Sequence, residues 1–139
     1  MNVVFDTDVL IAGLRSPSGA SSALLNLARY KKFNLLASVP LFMEYEAKCL
    51  LPEHYEVAGL TLAQVQIFLD ALAAIIVPVE IHYLWRPQLR DAADEMVLEA
   101  AVNGKAEVLV SFNHRHFAQV PSNFGIELLL PSEFIRRLK

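Results

Sequence analysis

The stretch NVVFDTDVLIAG (residues 2–13) decides the fold. Its first five residues, NVVFD, are β-branched, aromatic and apolar on alternate and adjacent positions, the pattern of a strand with both faces buried. A helix from about Asp8 to Leu14 follows directly. Two carboxylates, Asp6 and Asp8, therefore fall where a buried strand ends, and a charge there is costly unless something pairs with it.

Outward from this stretch, strands and helices alternate. RSPSGASS (15–22) is a turn cluster, after which Ser21 or Ser22 is placed to cap a helix over ALLNLARYKK (23–32). FNLLAS (33–38) reads as the second strand, and Pro40 suits the first turn of a helix running to about Leu50. LPEHYEVAGL (51–60) is a loop or a short helix. Thr61 and Gln64 have capping-box spacing ahead of the helical LAQVQIFLDALAAI (62–75). IIVPVEI (75–81) is extended, and Pro78 marks an edge strand or a strand start. A helix spans about Asp91 to Val102, with Asn103-Gly104 as its stop. AEVLVSF (106–112) is a buried strand, NHRHF (113–117) a loop, GIELLL (125–130) a strand, and PSEFIRRLK (131–139) a final helix. This alternation predicts an α/β fold with a mostly parallel central sheet and helices on both faces, a three-layer sandwich in a single domain over residues 1–139. Such sheets carry their sites at the carboxyl ends of the strands.

Composition narrows the class. Hydrophobic residues make up 55% of the 139, which fits a packed globule and excludes disorder. The apolar runs are short and interrupted by charge, so no membrane span is expected, and the first residues carry no secretion pattern. A single cysteine, Cys49, permits no internal disulfide, sits among Ala47, Leu50 and Leu51, and reads as a core residue of a cytoplasmic protein. A net charge of −3 excludes a nucleic-acid coat protein with a broad basic surface, but not an enzyme holding nucleic acid through a metal and a few arginines.

The acidic residues carry the functional signal. Asp94, Val97, Leu98 and Ala101 share one helical face, which is apolar and must pack on the sheet, so the Asp94 carboxylate points inward at the first turn. Asp91 lies on the same side. Glu95 lies about 100° round and is placed for solvent. The helix after Pro40 supplies Glu44 and Glu46, between which periodicity does not decide. Ser111 and Asn113 reach the same edge from their strand. Taken singly, each acid has a plain explanation as a helix cap, a first-turn residue or a solvated charge; Asp8 in particular reads as the cap of the first helix. Jointly, Asp6, Glu44 and Asp94 converge from three distant parts of the chain. Clustered carboxylates repel unless a divalent cation neutralises them, and an all-oxygen set favours Mg²⁺ or Mn²⁺. Such an ion polarises a phosphoryl oxygen and activates water, the chemistry of phosphodiester hydrolysis.

Three stretches, VVFDTDVLIAGL (3–14), SVPLFMEYEAKCL (38–50) and RDAADEMVLEAAVNGKAEVLVSFNHRHF (90–117), carry a family resemblance. In order and spacing the chain resembles PIN domains, in particular the toxin branch of bacterial toxin–antitoxin modules related to VapC. The resemblance implies an α/β/α sandwich, a Mg²⁺- or Mn²⁺-dependent ribonuclease acting on RNA, a small antitoxin protein as partner, and a homodimer for which segments 41–51 and 60–76 are candidate interfaces. It matches Asp6, Glu44 and Asp94 to the family's acids. Family members often carry Asn at the position of Asp8, so Asp8, with Asp91 and Asn113, is a supporting rather than a direct ligand. One departure stands out. Where many PIN domains have Thr-x-Asp, this chain has Ser111-Phe112-Asn113, and where the related branch has an Asp before the Phe, His116 precedes Phe117. His114 and His116 are candidates for phosphate or metal contact or idle loop histidines, and Arg86, Arg90 and Arg115 are candidate phosphate contacts.

Two other readings accompany this one. The neutral Asn113 and His116 allow a catalytically weak PIN fold that binds RNA or protein. FDTDV also matches superficially the Asp-x-Asp motif of haloacid-dehalogenase-like phosphotransferases, whose first Asp is a nucleophile; the lysine that family needs would have to be Lys105, which fits badly.

Overall fold

The computed structural model describes residues 1–83 and 88–139. Five strands, β1 (Asn2–Phe5), β2 (Asn34–Ala37), β3 (Val77–Pro78), β4 (Val108–Val110) and β5 (Glu127–Leu129), form one sheet in the order β3-β2-β1-β4-β5. All four pairings are parallel. The chain builds outward from β1 to β2 and β3, then returns past β1 to β4 and β5. The order therefore reverses between β1 and β4, and the crevice at their carboxyl ends is the place where a parallel sheet accepts a ligand.

Nine helices among the described residues flank the sheet: α1 (Thr7–Arg15), α2 (Ala20–Arg29), α3 (Val39–Cys49), α4 (Pro52–Tyr55), α5 (Leu62–Ile75), α6 (Ala92–Asn103), α7 (His114–Phe117), α8 (Val120–Asn123) and α9 (Pro131–Leu138). This is the expected three-layer α/β sandwich, with Pro78 on an edge strand. The α5 capping box forms as read, Thr61 and Gln64 each accepting the other's backbone N–H. Ser38 caps α3 by accepting the Leu41 N–H at 3.2 Å, just ahead of Pro40.

Two local expectations are corrected. Neither Ser21 nor Ser22 caps α2. The cap is Gly19, which makes no side-chain bond, because the Ser22 hydroxyl instead reaches the carbonyls of Gly13 and Ser16 and ties the turn to α1. Residues 114–117 form the one-turn helix α7 rather than a loop. The α6 stop falls at Asn103-Gly104 as read, with Gly104 as the cap at φ −83° and Lys105 (φ 54°) as the left-handed residue that follows. Gly104 serves close approach: a Cβ there would lie 2.9 Å from the Ala100 carbonyl oxygen.

The core joins both helical layers through the sheet. Phe5, Phe33 and Phe134 form an aromatic chain with centroid separations of 5.9 and 5.1 Å, each ring 3% exposed or less. Each such ring contributes roughly 2–3 kcal/mol by leaving water. Cys49 is fully buried and burial pushes its thiol up to about 12, as a core residue requires.

Candidate active site

Register builds the site. Phe5 pairs with Val110, so the residues that follow, Asp6 and Ser111, emerge side by side at the crevice. The Asp6 backbone N–H still donates to Val110 O at 2.9 Å. Its side chain is the true cap of α1: Oδ1 accepts the Thr7 N–H at 2.7 Å. Oδ2 accepts the Ser111 hydroxyl at 2.6 Å, and that hydroxyl oxygen accepts the Asn113 N–H at 2.9 Å. Asp6 is buried and Ser111 fully so.

Asp8 is therefore not the cap it was read as, because Asp6 already holds that place. It lies in the first turn of α1 and reaches β4's end, where Oδ2 accepts the Phe112 N–H at 3.1 Å. Its Oδ1 is buried with no hydrogen-bond partner. Asp94, in the first turn of α6, is buried as its helical face required, and His116 Nδ1 stands 3.2 Å from its Oδ2. His116 is thus turned toward the acids from α7. Asp91 caps α6 by accepting the Ala93 N–H and stays exposed.

Electrostatics tie these groups together. Burial first, and Asp91 in addition, hold the Asp6 carboxyl above its ordinary value, against the Ser111 and Thr7 hydrogen bonds and His116. Burial and then Asp6 push Asp8 up to about 7. Asp94 is raised by burial, then by Asp6 and Asp91, with His116 opposing. Among the described residues no arginine or lysine enters this group, and His116 is the basic side chain that does.

The two glutamates of α3 separate. Glu46 lines a groove with Ala73, Ile76 and Pro78 toward β3, the far side of the sheet from β4. Glu44 is partly buried, 3.9 Å from Lys48. Its neighbour Tyr45 is fully buried and donates its hydroxyl to Phe5 O, so α3 is anchored on the residue that precedes Asp6. The structure joins Asp6, Asp8, Asp91, Asp94 and His116; it does not bond Glu44 to them. Among the described residues no three or more His, Cys, Asp or Glu side chains are grouped closely enough to hold a metal ion as they stand. The donor chemistry nevertheless suits a hard divalent cation, with oxygen atoms, raised carboxyls and one unpartnered buried oxygen.

A cleft of about 760 Å³ opens beside Asp94, and Arg90, Asp91, Arg115 and His116 line it. Arg86 lies outside the described residues. Asn113 contributes its backbone to the Ser111 hydroxyl and makes no side-chain cap to α7. His114 turns Nε2 into the interior without a partner. Glu95 corrects another expectation. It is buried, not solvated, because segment 88–90 folds back over α6 and both Gln88 and Leu89 donate their N–H groups to its Oε1. Lys105 precedes β4 and so lies at the opposite edge from Asp6, which removes the phosphotransferase arrangement.

Residues 2–115 match the family model described as the PIN domain. The chain is a PIN-domain protein. Among curated proteins it finds no match. Its fold is that of a solved structure of VapBC2 from Rickettsia felis bound to a DNA fragment from its promoter, with a TM-score of 0.63. That likeness covers 92% of this PIN domain and 97% of the other chain, at 13% identity. No helix among the described residues is long and apolar enough to cross a membrane.

Proposed function

We propose that this PIN domain is a metal-dependent endoribonuclease that hydrolyses RNA phosphodiester bonds, the toxin of a type II toxin–antitoxin module. One observation carries the reading. Asp6, Asp8 and Asp94 stand at the strand-order reversal with raised carboxyls, and among the described residues no arginine or lysine pairs with them. Mg²⁺ or Mn²⁺ supplies that charge when bound, and with it a polarised phosphoryl oxygen and a more acidic water. Asp6 and Asp94 would hold the ion, with Glu44 joining from α3 and Asp8 Oδ1 as the nearest spare oxygen. Ser111 keeps Asp6 in its rotamer and favours its ionised form. Asp91 adds negative potential at the cleft, and the Asn113 N–H fixes the Ser111 hydroxyl. Arg115 and Arg90 receive backbone phosphates. A small antitoxin protein as its restraint, a homodimeric state and a cytoplasmic setting belong to the same reading.

RNA cleavage with Mg²⁺ or Mn²⁺ tests it. Asp6→Asn and Asp94→Asn should each lower the rate by at least about a hundredfold. Cleavage unchanged in both would sink the mechanism. The placement of His116 on Asp94, together with the neutral Asn113, favours a second reading, a PIN fold that binds RNA or protein with little catalysis. Calorimetry separates the two: no Mn²⁺ binding at millimolar metal, together with no cleavage, selects the second.

A further inference from the structure

One wall of the cleft beside Asp94 is held by a side chain with no part in the proposed chemistry. Gln88, Leu89, Arg90 and Asp91 form that wall; Arg115, His116 and Ala118 belong to the other. Glu95 is 5% exposed and lies one residue past Asp94. Its Oε1 accepts the N–H groups of Gln88 and Leu89, both at 2.7 Å. A buried carboxylate is costly unless donors are aimed at it, and two short charge-assisted bonds meet that need. An apolar residue at this position would leave both N–H groups without their acceptor. The carboxylate thus serves the loop, and the loop's next two residues, Arg90 and Asp91, reach the cleft.

We propose that Glu95 is a positioning residue for substrate: it fixes segment 88–91 so that Arg90 and Arg115, one from each wall, grip backbone phosphates adjacent to the cut bond. The proposal rests on the nuclease reading for its substrate class, an RNA strand. Anchoring acts on Arg90 through the backbone, so removing the anchor weakens substrate binding and spares the chemical step.

Four proteins test it with a single-stranded RNA oligonucleotide and Mn²⁺: wild type, Glu95→Ala, Glu95→Gln and Arg90→Ala. Glu95→Ala should raise KM about tenfold and leave kcat within about twofold. Glu95→Gln keeps an acceptor oxygen and should stay within about threefold of wild type in KM. Arg90→Ala should match Glu95→Ala, and the double variant should be no worse than either, since both act through one contact. Amide exchange at Gln88 and Leu89 should accelerate in Glu95→Ala without substrate present. A fall in kcat at constant KM, additive losses in the double variant, or unchanged exchange at those two amides overturns the proposal. If the wild type cuts no RNA, the nuclease reading fails by itself, and fluorescence anisotropy with the same RNA decides for Glu95. Binding about tenfold weaker in Glu95→Ala but not in Glu95→Gln upholds it; equal binding, or none, in all three overturns it.

Discussion

Two edges of the same sheet treat carboxylates in opposite ways. At the amino end of β5, Glu127 is clasped by Arg137 from the last turn of α9, with bonds of 2.6 and 2.5 Å, and the guanidinium holds its carboxyl below the ordinary value. At the carboxyl ends of β1 and β4, Asp6, Asp8 and Asp94 are more buried, yet they receive hydroxyl and backbone donors and one half-exposed histidine. The chain supplies an arginine where a single solvated acid needs little help. Among the described residues none pairs with Asp6, Asp8 or Asp94, where an arginine would quiet three acids. A site that is to take a cation must stay negative, and hydrogen-bond donors orient carboxylates without cancelling them.

The contrast can be broken at its polar hinge first. Ser111→Ala removes the hydroxyl that donates to Asp6 and accepts from Asn113, leaving two buried or half-buried groups unsatisfied. The expected cost is about 1–3 kcal/mol, read from urea unfolding at pH 7. Asp6 should also titrate higher, since its opposing hydrogen bond is gone. A loss below about 0.5 kcal/mol would mean the hydroxyl does not hold the acid.

A smaller effect tests the unneutralised charge itself. The Asp8 carboxyl titrates at about 7 in the fold against 3.8 as the ordinary value. Between these the folded chain holds a proton that the unfolded chain has lost, so metal-free stability is greatest below the lower value and falls as pH rises through the upper one. Asp8→Asn removes this decline. At pH 8 with chelator its Tm should exceed that of wild type by on the order of 3 °C, a figure reduced for partial solvation of the site. At pH 4 the two should melt together. Saturating Mn²⁺ should narrow or reverse the gap by binding the wild-type fold. A wild-type melting curve flat between pH 4 and 8 would show that Asp8 bears no such strain.

How much of this was legible depended on whether the signal was local. The βα alternation, the edge position of Pro78, and the inward turn of Asp94 all follow from period and turn chemistry, and Asp6 lay at a strand end from the first five residues. The bonds that finish the site span 104 or 105 positions, Asp8 to Phe112 and Asp6 to Ser111. No periodicity encodes them; they follow from the pairing of β1 with β4. Glu95 failed for a related reason. Its helical angle was right, but the segment that covers it has no periodic pattern to announce that it folds back. Ser22 likewise had cap chemistry, yet two nearer carbonyls outcompeted the helix end for its hydroxyl.

The mildest perturbation returns to the clasped acid. Arg137→Ala frees Glu127 on the surface, where both partners are nearly half exposed. Exposed pairs contribute little, because water already solvates both charges and salt screens what remains. Since the folded Glu127 carboxyl lies below its ordinary 4.5, its contribution is present above that value and lost as pH falls further. Arg137→Ala should therefore shift Tm by no more than about 2 °C at pH 7, and the shift should shrink in 1 M salt. RNA cleavage should be unchanged. Asp8→Asn raises metal-free Tm and Arg137→Ala lowers it slightly, two changes at carboxylate sites with effects of opposite sign. That opposition is the quantitative form of the difference between an acid that has its cation and buried acids that have none among the described residues.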